Sequence, residues 1–221
     1  MEHTEILGRS QASALATSKV IRNTYALLAM TLTFSALMAG VSMAAGLPFF
    51  SPLVFLGGYF ALLFLTVKCR NSGAGIVCVF ALTGFMGATL GPILSYYLAT
   101  PHGSMLVMQA LGATAFIFFA LSAYALHSRK DFSFMGGFLF VGLMVAFLAG
   151  LGAFFFELPA LSLAVSAAFV LLASGLILYQ TSEIIHNGET NYIMATVTLY
   201  VSIYNLFISL LHLLSAFSGD D

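Results

Sequence analysis

Five polar side chains towards the C-terminal end, Thr198, Ser202, Asn205, Ser209 and His212, recur at steps of four, three, four and three. That spacing places them on one stripe of a helix. They sit in a segment long enough to cross a bilayer, where an unpaired polar group facing hydrocarbon costs several kcal/mol. The stripe is therefore expected to face other protein or a water-filled cavity. Two kinds of chemistry suit it: hydrogen bonds between helices, worth roughly 0.6 kcal/mol per contact, or the lining of a narrow polar path. Apart from His212 the stripe is neutral.

Few other residues in the apolar segments can titrate, and such residues are functional candidates by default. Glu157 falls at the outer end of the fifth segment, Glu183 just past the sixth, and His212 near the outer end of the seventh. Chemistry that needs more is missing its residues. The last lysine is Lys130, so the final segment cannot carry a Schiff-base lysine. The aspartates are Asp131, Asp220 and Asp221, at edges or the terminus rather than paired inside a span. His3, His102, His127, His186 and His212 lie on different segments without metal-ligand spacing. No phosphate-binding glycine loop is present. Cys69 and Cys78 read as unpaired thiols behaving as small hydrophobes. No catalytic residue, metal site or cofactor is expected, and the chain does not read as an enzyme.

The elements that position the stripe follow from composition. Of 221 residues, 61% are hydrophobic and 7% charged, whereas soluble domains carry about a quarter charged residues. This is the composition of an all-α integral membrane protein. A net charge of -1 and seven basic residues leave no basic face for nucleic acid. Spanning windows are expected at about 24–46, 50–67, 73–98, 104–126, 133–156, 159–179 and 193–215. Short connectors rich in Gly, Pro or charge separate them. Residues 1–18 read as a flexible tail, 19–216 as one seven-helix membrane domain with the last helix central, and 217–221 as a short outer tail.

Seven spans put Arg9, Lys19, Arg22, Lys68, Arg70, Arg129 and Lys130 on one side. The positive-inside rule makes that side cytoplasmic, with the N-terminus inside and the C-terminus outside. Gly84, Gly87 and Gly91 in the third span, with several glycines in the fifth, are expected to let helices approach closely. Gly91-Pro92 falls inside the third span and is expected to kink it.

The run Gly188-Glu189-Thr190-Asn191-Tyr192-Ile193, with Ala195-Thr196, Leu199-Tyr200 and Asn205-Leu206-Phe207, resembles the bacterial YccA branch of the Bax inhibitor-1 (transmembrane Bax inhibitor motif) family. Ser18 to Tyr25, Gly91-Pro92-Ile93-Leu94 and Ser128 to Phe134 are similar to other segments of that branch. The resemblance implies a seven-helix bundle with a central last helix. It also implies an inner-membrane interaction protein, a substrate and modulator of the membrane-anchored ATP-dependent protease FtsH. An alternative comes with the same family, a pH-sensitive calcium or cation leak governed by two acidic residues. Those positions match Gln180 and Ser202, neither of them acidic. An acidic pair shares a proton, whereas an amide and a hydroxyl do not titrate in that range. Glu183 is the nearby carboxylate that could substitute, without an acidic partner. The partners to expect are thus the lipid bilayer, the FtsH complex and, on the alternative, calcium ions.

Overall fold

Helix boundaries are set by residues that cannot continue a helix or that cap one. The computed structural model describes residues 2–186 and 191–219, with side chains from Thr17 onward. Its helices are α1 Glu2–Ala44, α2 Pro52–Cys69, α3 Ala74–Leu98, α4 Gly103–Ser128, α5 Gly136–Phe155, α6 Pro159–His186 and α7 Tyr192–Ser218. The 3-10 turn Ser133–Met135 leads into α5. Pro52 stands at the first turn of α2 after Ser51, whose hydroxyl accepts from the Val54 amide at 3.4 Å. The missing proline N–H costs nothing at that position. Gly46, beyond α1, and Gly219, beyond α7, take φ of 61° and 69°, the left-handed conformation in which glycine pays no Cβ penalty.

Among the described residues seven helices are long and apolar enough to span a membrane, α1 contributing Thr17–Ala44. This bears out the expected all-α membrane fold, with two differences in extent. α1 begins at Glu2, inside the segment expected as a flexible tail. α6 runs on to His186, so Gln180 and Glu183 lie within it rather than at or past its end. Hydropathy falls at Gln180, but Gln180, Thr181 and Ser182 are buried, and packing rather than lipid carries the last turns of the helix.

α7 packs on α1, α3, α4 and α6, as a central helix must. α3 is as deeply buried as α7 and packs most extensively on α1. The main core joins Leu28, Val79, Leu82, Met86, Ile177, Leu199, Tyr200 and Leu206 from α1, α3, α6 and α7. α2 leans on α3, and α5 leans on α6. Their large apolar side chains, such as Phe64, Phe138 and Phe140, face outward.

Glycine explains the tightness of α1 on α3. A Cβ on Gly84 would meet the Phe34 ring, one on Gly87 the Ser35 backbone carbonyl, and one on Gly91 the Ser42 side chain. The three lie on one face of α3, and their lack of side chains lets the two backbones touch. α3 continues through Pro92 from Ala74 to Leu98.

Candidate functional site

The polar groups of the interior collect around α7. None of the five stripe residues is exposed. Ser202 is 1% exposed and gives its hydroxyl to the Thr198 carbonyl at 2.8 Å, and the Asn205 amide donates to the Val201 carbonyl at 2.9 Å. These bonds return to α7 itself and do not glue it to a neighbour. Ser209 is buried and Thr198 half-buried. Among the described residues His212 alone of the five reaches another helix: its Nδ1 lies 2.8 Å from Ser166 Oγ of α6. Ser166 gives its single hydrogen to the Ser162 carbonyl at 3.0 Å, which leaves the imidazole as donor to Ser166.

The bonds between helices come instead from tyrosines and threonines outside the stripe. Tyr200, 1% exposed, donates its hydroxyl to the Thr83 carbonyl of α3 at 3.2 Å. It then accepts from Ser35 Oγ of α1 at 2.6 Å. One phenol thus ties α1, α3 and α7 together. Thr89 donates to the Met86 carbonyl at 2.7 Å and receives the Tyr204 hydroxyl at 3.2 Å. Nearer the basic end, Thr196 Oγ1 reaches the Thr24 carbonyl at 3.2 Å and Tyr25 meets Thr181 at 3.4 Å. Tyr59, Tyr200 and Tyr204 stand well inside their helices rather than at the helix ends. The four-residue spacing of Thr196, Tyr200 and Tyr204 was the available signal.

Gln180 is 6% exposed on α6, and no hydrogen bond joins it to Ser202 among the described residues. Glu183 is half-buried one turn further along α6. The two positions expected to match an acidic sensor are therefore both buried and both uncharged.

The basic end is laced together by its loops. Asn191 caps α7, its side-chain oxygen accepting from the Met194 amide at 3.1 Å. Its Nδ2 donates to the Arg70 carbonyl at 3.1 Å and to Asn71 Oδ1 at 2.9 Å, fastening the α2–α3 loop to the start of α7. Ser182 accepts from the Phe132 amide at 2.9 Å and donates to the Lys130 carbonyl at 3.4 Å, fastening the α4–α5 loop to α6. Asp131 turns this loop by accepting from the Ser133 amide at 2.9 Å. Its carboxyl is held below the usual value, first by that backbone bond, next by the Ser133 hydroxyl and more weakly by His186. Of the expected motif, Asn191 and Tyr192 are at this junction, while Gly188, Glu189 and Thr190 lie outside the described residues. Among the described residues no group of three or more His, Cys, Asp or Glu side chains could hold a metal ion.

Residues 17–219 match the family described as Inhibitor of apoptosis-promoting Bax1. The chain belongs to that family. Within the Bax1 inhibitor family it is 51% identical over 210 residues to the Modulator of FtsH protease YccA of Escherichia coli K12, with 95% of each chain covered. The Inner membrane protein YccA of Escherichia coli O6:H1 is similar to the same degree. An uncharacterised protein of Pseudomonas aeruginosa is 57% identical over 204 residues, 92% of each chain.

Proposed function

We propose that this protein modulates the FtsH protease in the inner membrane, as a partner that the protease also competes to degrade. The observation that carries this is the 51% identity, over 95% of both chains, to a protein named as a modulator of that protease. The buried, uncharged character of Gln180 and Ser202 favours it over a pH-gated calcium leak, because neither group can exchange a proton near neutral pH. On this reading the basic end, with Lys68, Arg70, Arg129 and Lys130, faces the cytoplasm. The polar segment before Thr17 is then the part offered to the protease.

The test is reconstitution. Purified protein added to FtsH in proteoliposomes should change the ATP-dependent degradation rate of a membrane substrate, and deletion of residues 2–16 should slow the protein's own turnover. An unaltered degradation rate at a tenfold excess of the protein would refute the proposal.

A further inference from the structure

Because α2 leans on α3 and α5 leans on α6, a lateral cleft of about 430 Å³ lies between α2 and α5. Its walls include Tyr59 and Phe60 of α2 and Leu143 and Phe147 of α5, and its floor includes Tyr204 and Asn205 of α7. The walls are apolar, but two polar groups are left over. The Asn205 amide nitrogen is used by the Val201 carbonyl, and among the described residues its carbonyl oxygen meets no donor. The Tyr59 hydroxyl likewise has no hydrogen-bond partner among the described residues. The Tyr204 hydroxyl is satisfied by Thr89.

Depth decides what suits such a cleft. Asn205 stands halfway along Tyr192–Ser218 and Tyr59 halfway along Pro52–Cys69, so both polar groups lie near the bilayer midplane. Headgroups are about 15 Å away there, half the hydrocarbon thickness of ~30 Å, and acyl chains carry no hydrogen-bonding group to offer. Lipid tails would leave both groups unpartnered in hydrocarbon, which is costly. A transmembrane helix with Ser, Thr, Asn or Gln at mid-span would satisfy them, because polar side chains of that kind hydrogen-bond across helices. The size agrees: a single turn of helix, ~11 Å wide and ~5.4 Å tall, occupies roughly 500 Å³. The cleft therefore admits a ridge of side chains and not a helix body.

We infer that the α2–α5 cleft is the docking groove for a transmembrane helix of the partner protease, read through the Asn205 carbonyl and the Tyr59 hydroxyl. The inference rests on the function proposed above, which supplies a partner in the same membrane.

The test is site-specific photocrosslinking in membranes that contain both proteins. Benzoylphenylalanine replaces Phe60 or Leu143 in the cleft, or Phe116, which is exposed on α4. Crosslinks to a membrane segment of the protease from Phe60 and Leu143 are expected at least fivefold above those from Phe116. Asn205→Leu should cut the Leu143 yield at least threefold. The variant keeps the backbone bonding of α7, and Tyr59→Phe, a smaller change, should lower the same yield. Protease that co-purifies while crosslinking equally from all three positions overturns the groove and leaves the proposed function standing. Adducts from the cleft with lipid alone, or with a second copy of this chain, overturn it as well. Failure of the protease to co-purify with the unsubstituted protein overturns both.

Discussion

Ser42 of α1 donates its hydroxyl to the carbonyl of Ala88 in α3 at 2.7 Å. Ala88 is the residue whose carbonyl the amide of position 92 would normally bond, and position 92 is a proline with no amide hydrogen. The serine on one helix thus supplies the donor that the proline on another removes. Gly91 makes room for it, since a Cβ there would collide with the Ser42 side chain. Gly91-Pro92 and Ser42 form one device in which a local defect of α3 becomes a contact with α1.

Replacing Ser42 with alanine should cost about 1–3 kcal/mol by leaving a buried carbonyl unsatisfied. In a Pro92→Ala background Ala88 regains its helical donor, and the same replacement should cost well under 1 kcal/mol. A double-mutant cycle measured by unfolding in detergent micelles checks this. Equal costs in the two backgrounds would dissociate Ser42 from the proline.

The glycines of α3 and α4 differ sharply in what surrounds them. Gly87→Ala pushes a methyl into the Ser35 backbone carbonyl, which cannot swing aside. A loss of about 1–3 kcal/mol is expected. Gly112 on α4 has open space around it, so Gly112→Ala should be neutral or stabilise by up to about 1 kcal/mol through helix propensity alone. Thermal midpoints of the two variants in one detergent should move in opposite directions, or only the first should move.

Tyr200→Phe keeps the ring that fills the core but removes the hydroxyl shared by Ser35 and Thr83. Bonds between membrane helices average about 0.6 kcal/mol and reach about 1.7, so a loss of about 1 kcal/mol is expected. Adding Ser35→Ala should cost little more, since the serine will already have lost its acceptor. Additive losses would show that the two hydroxyls act separately.

Much of this was legible in the order of residues. Length and apolarity specify the seven spans, and Gly84, Gly87 and Gly91 announce a close helix pair without saying that α1 is the partner. The stripe from Thr198 to His212 marks α7 as interior, but the sequence cannot tell a serine that bonds its own helix from one that bonds another. Ser202 and Asn205 do the former, and His212 does the latter. The end of α6 was hidden because polar residues such as Ser182 are paid for by loop backbone from residues 130–132, distant in sequence. The α2–α5 cleft was hidden too, since it exists where two helices lean away from each other.

Asp131 gives a pH dependence with a definite sign. Its carboxyl is held below the ordinary value of about 4, so the ionised side chain stabilises the α4–α5 loop. That contribution is fully present above about pH 4 and is lost as pH falls through the lowered value of the folded state. Asp131→Asn can make the same turn and does not titrate. Thermal midpoints of the two proteins should therefore differ at pH 6 and draw together as pH falls below about 4, the aspartate form falling more. Parallel curves would remove Asp131 as a titrating clamp.

The positions of Gln180 and Ser202 yield the last expectation. Both are buried and uncharged, and Ser202 gives its hydroxyl to Thr198. Proteoliposomes holding the unsubstituted protein should show no pH-dependent calcium flux between pH 6 and pH 8, because no group at these positions changes charge over that range. Introducing Gln180→Asp together with Ser202→Asp places two carboxylates in a buried environment, which raises the pKa of at least one of them. If these positions are all that separates this chain from a pH-gated leak, flux should appear in the double variant and vary with pH. The modulator reading expects no flux in either protein, with FtsH regulation kept by the unsubstituted one. A pH-dependent calcium flux through the unsubstituted protein would displace it in favour of the leak.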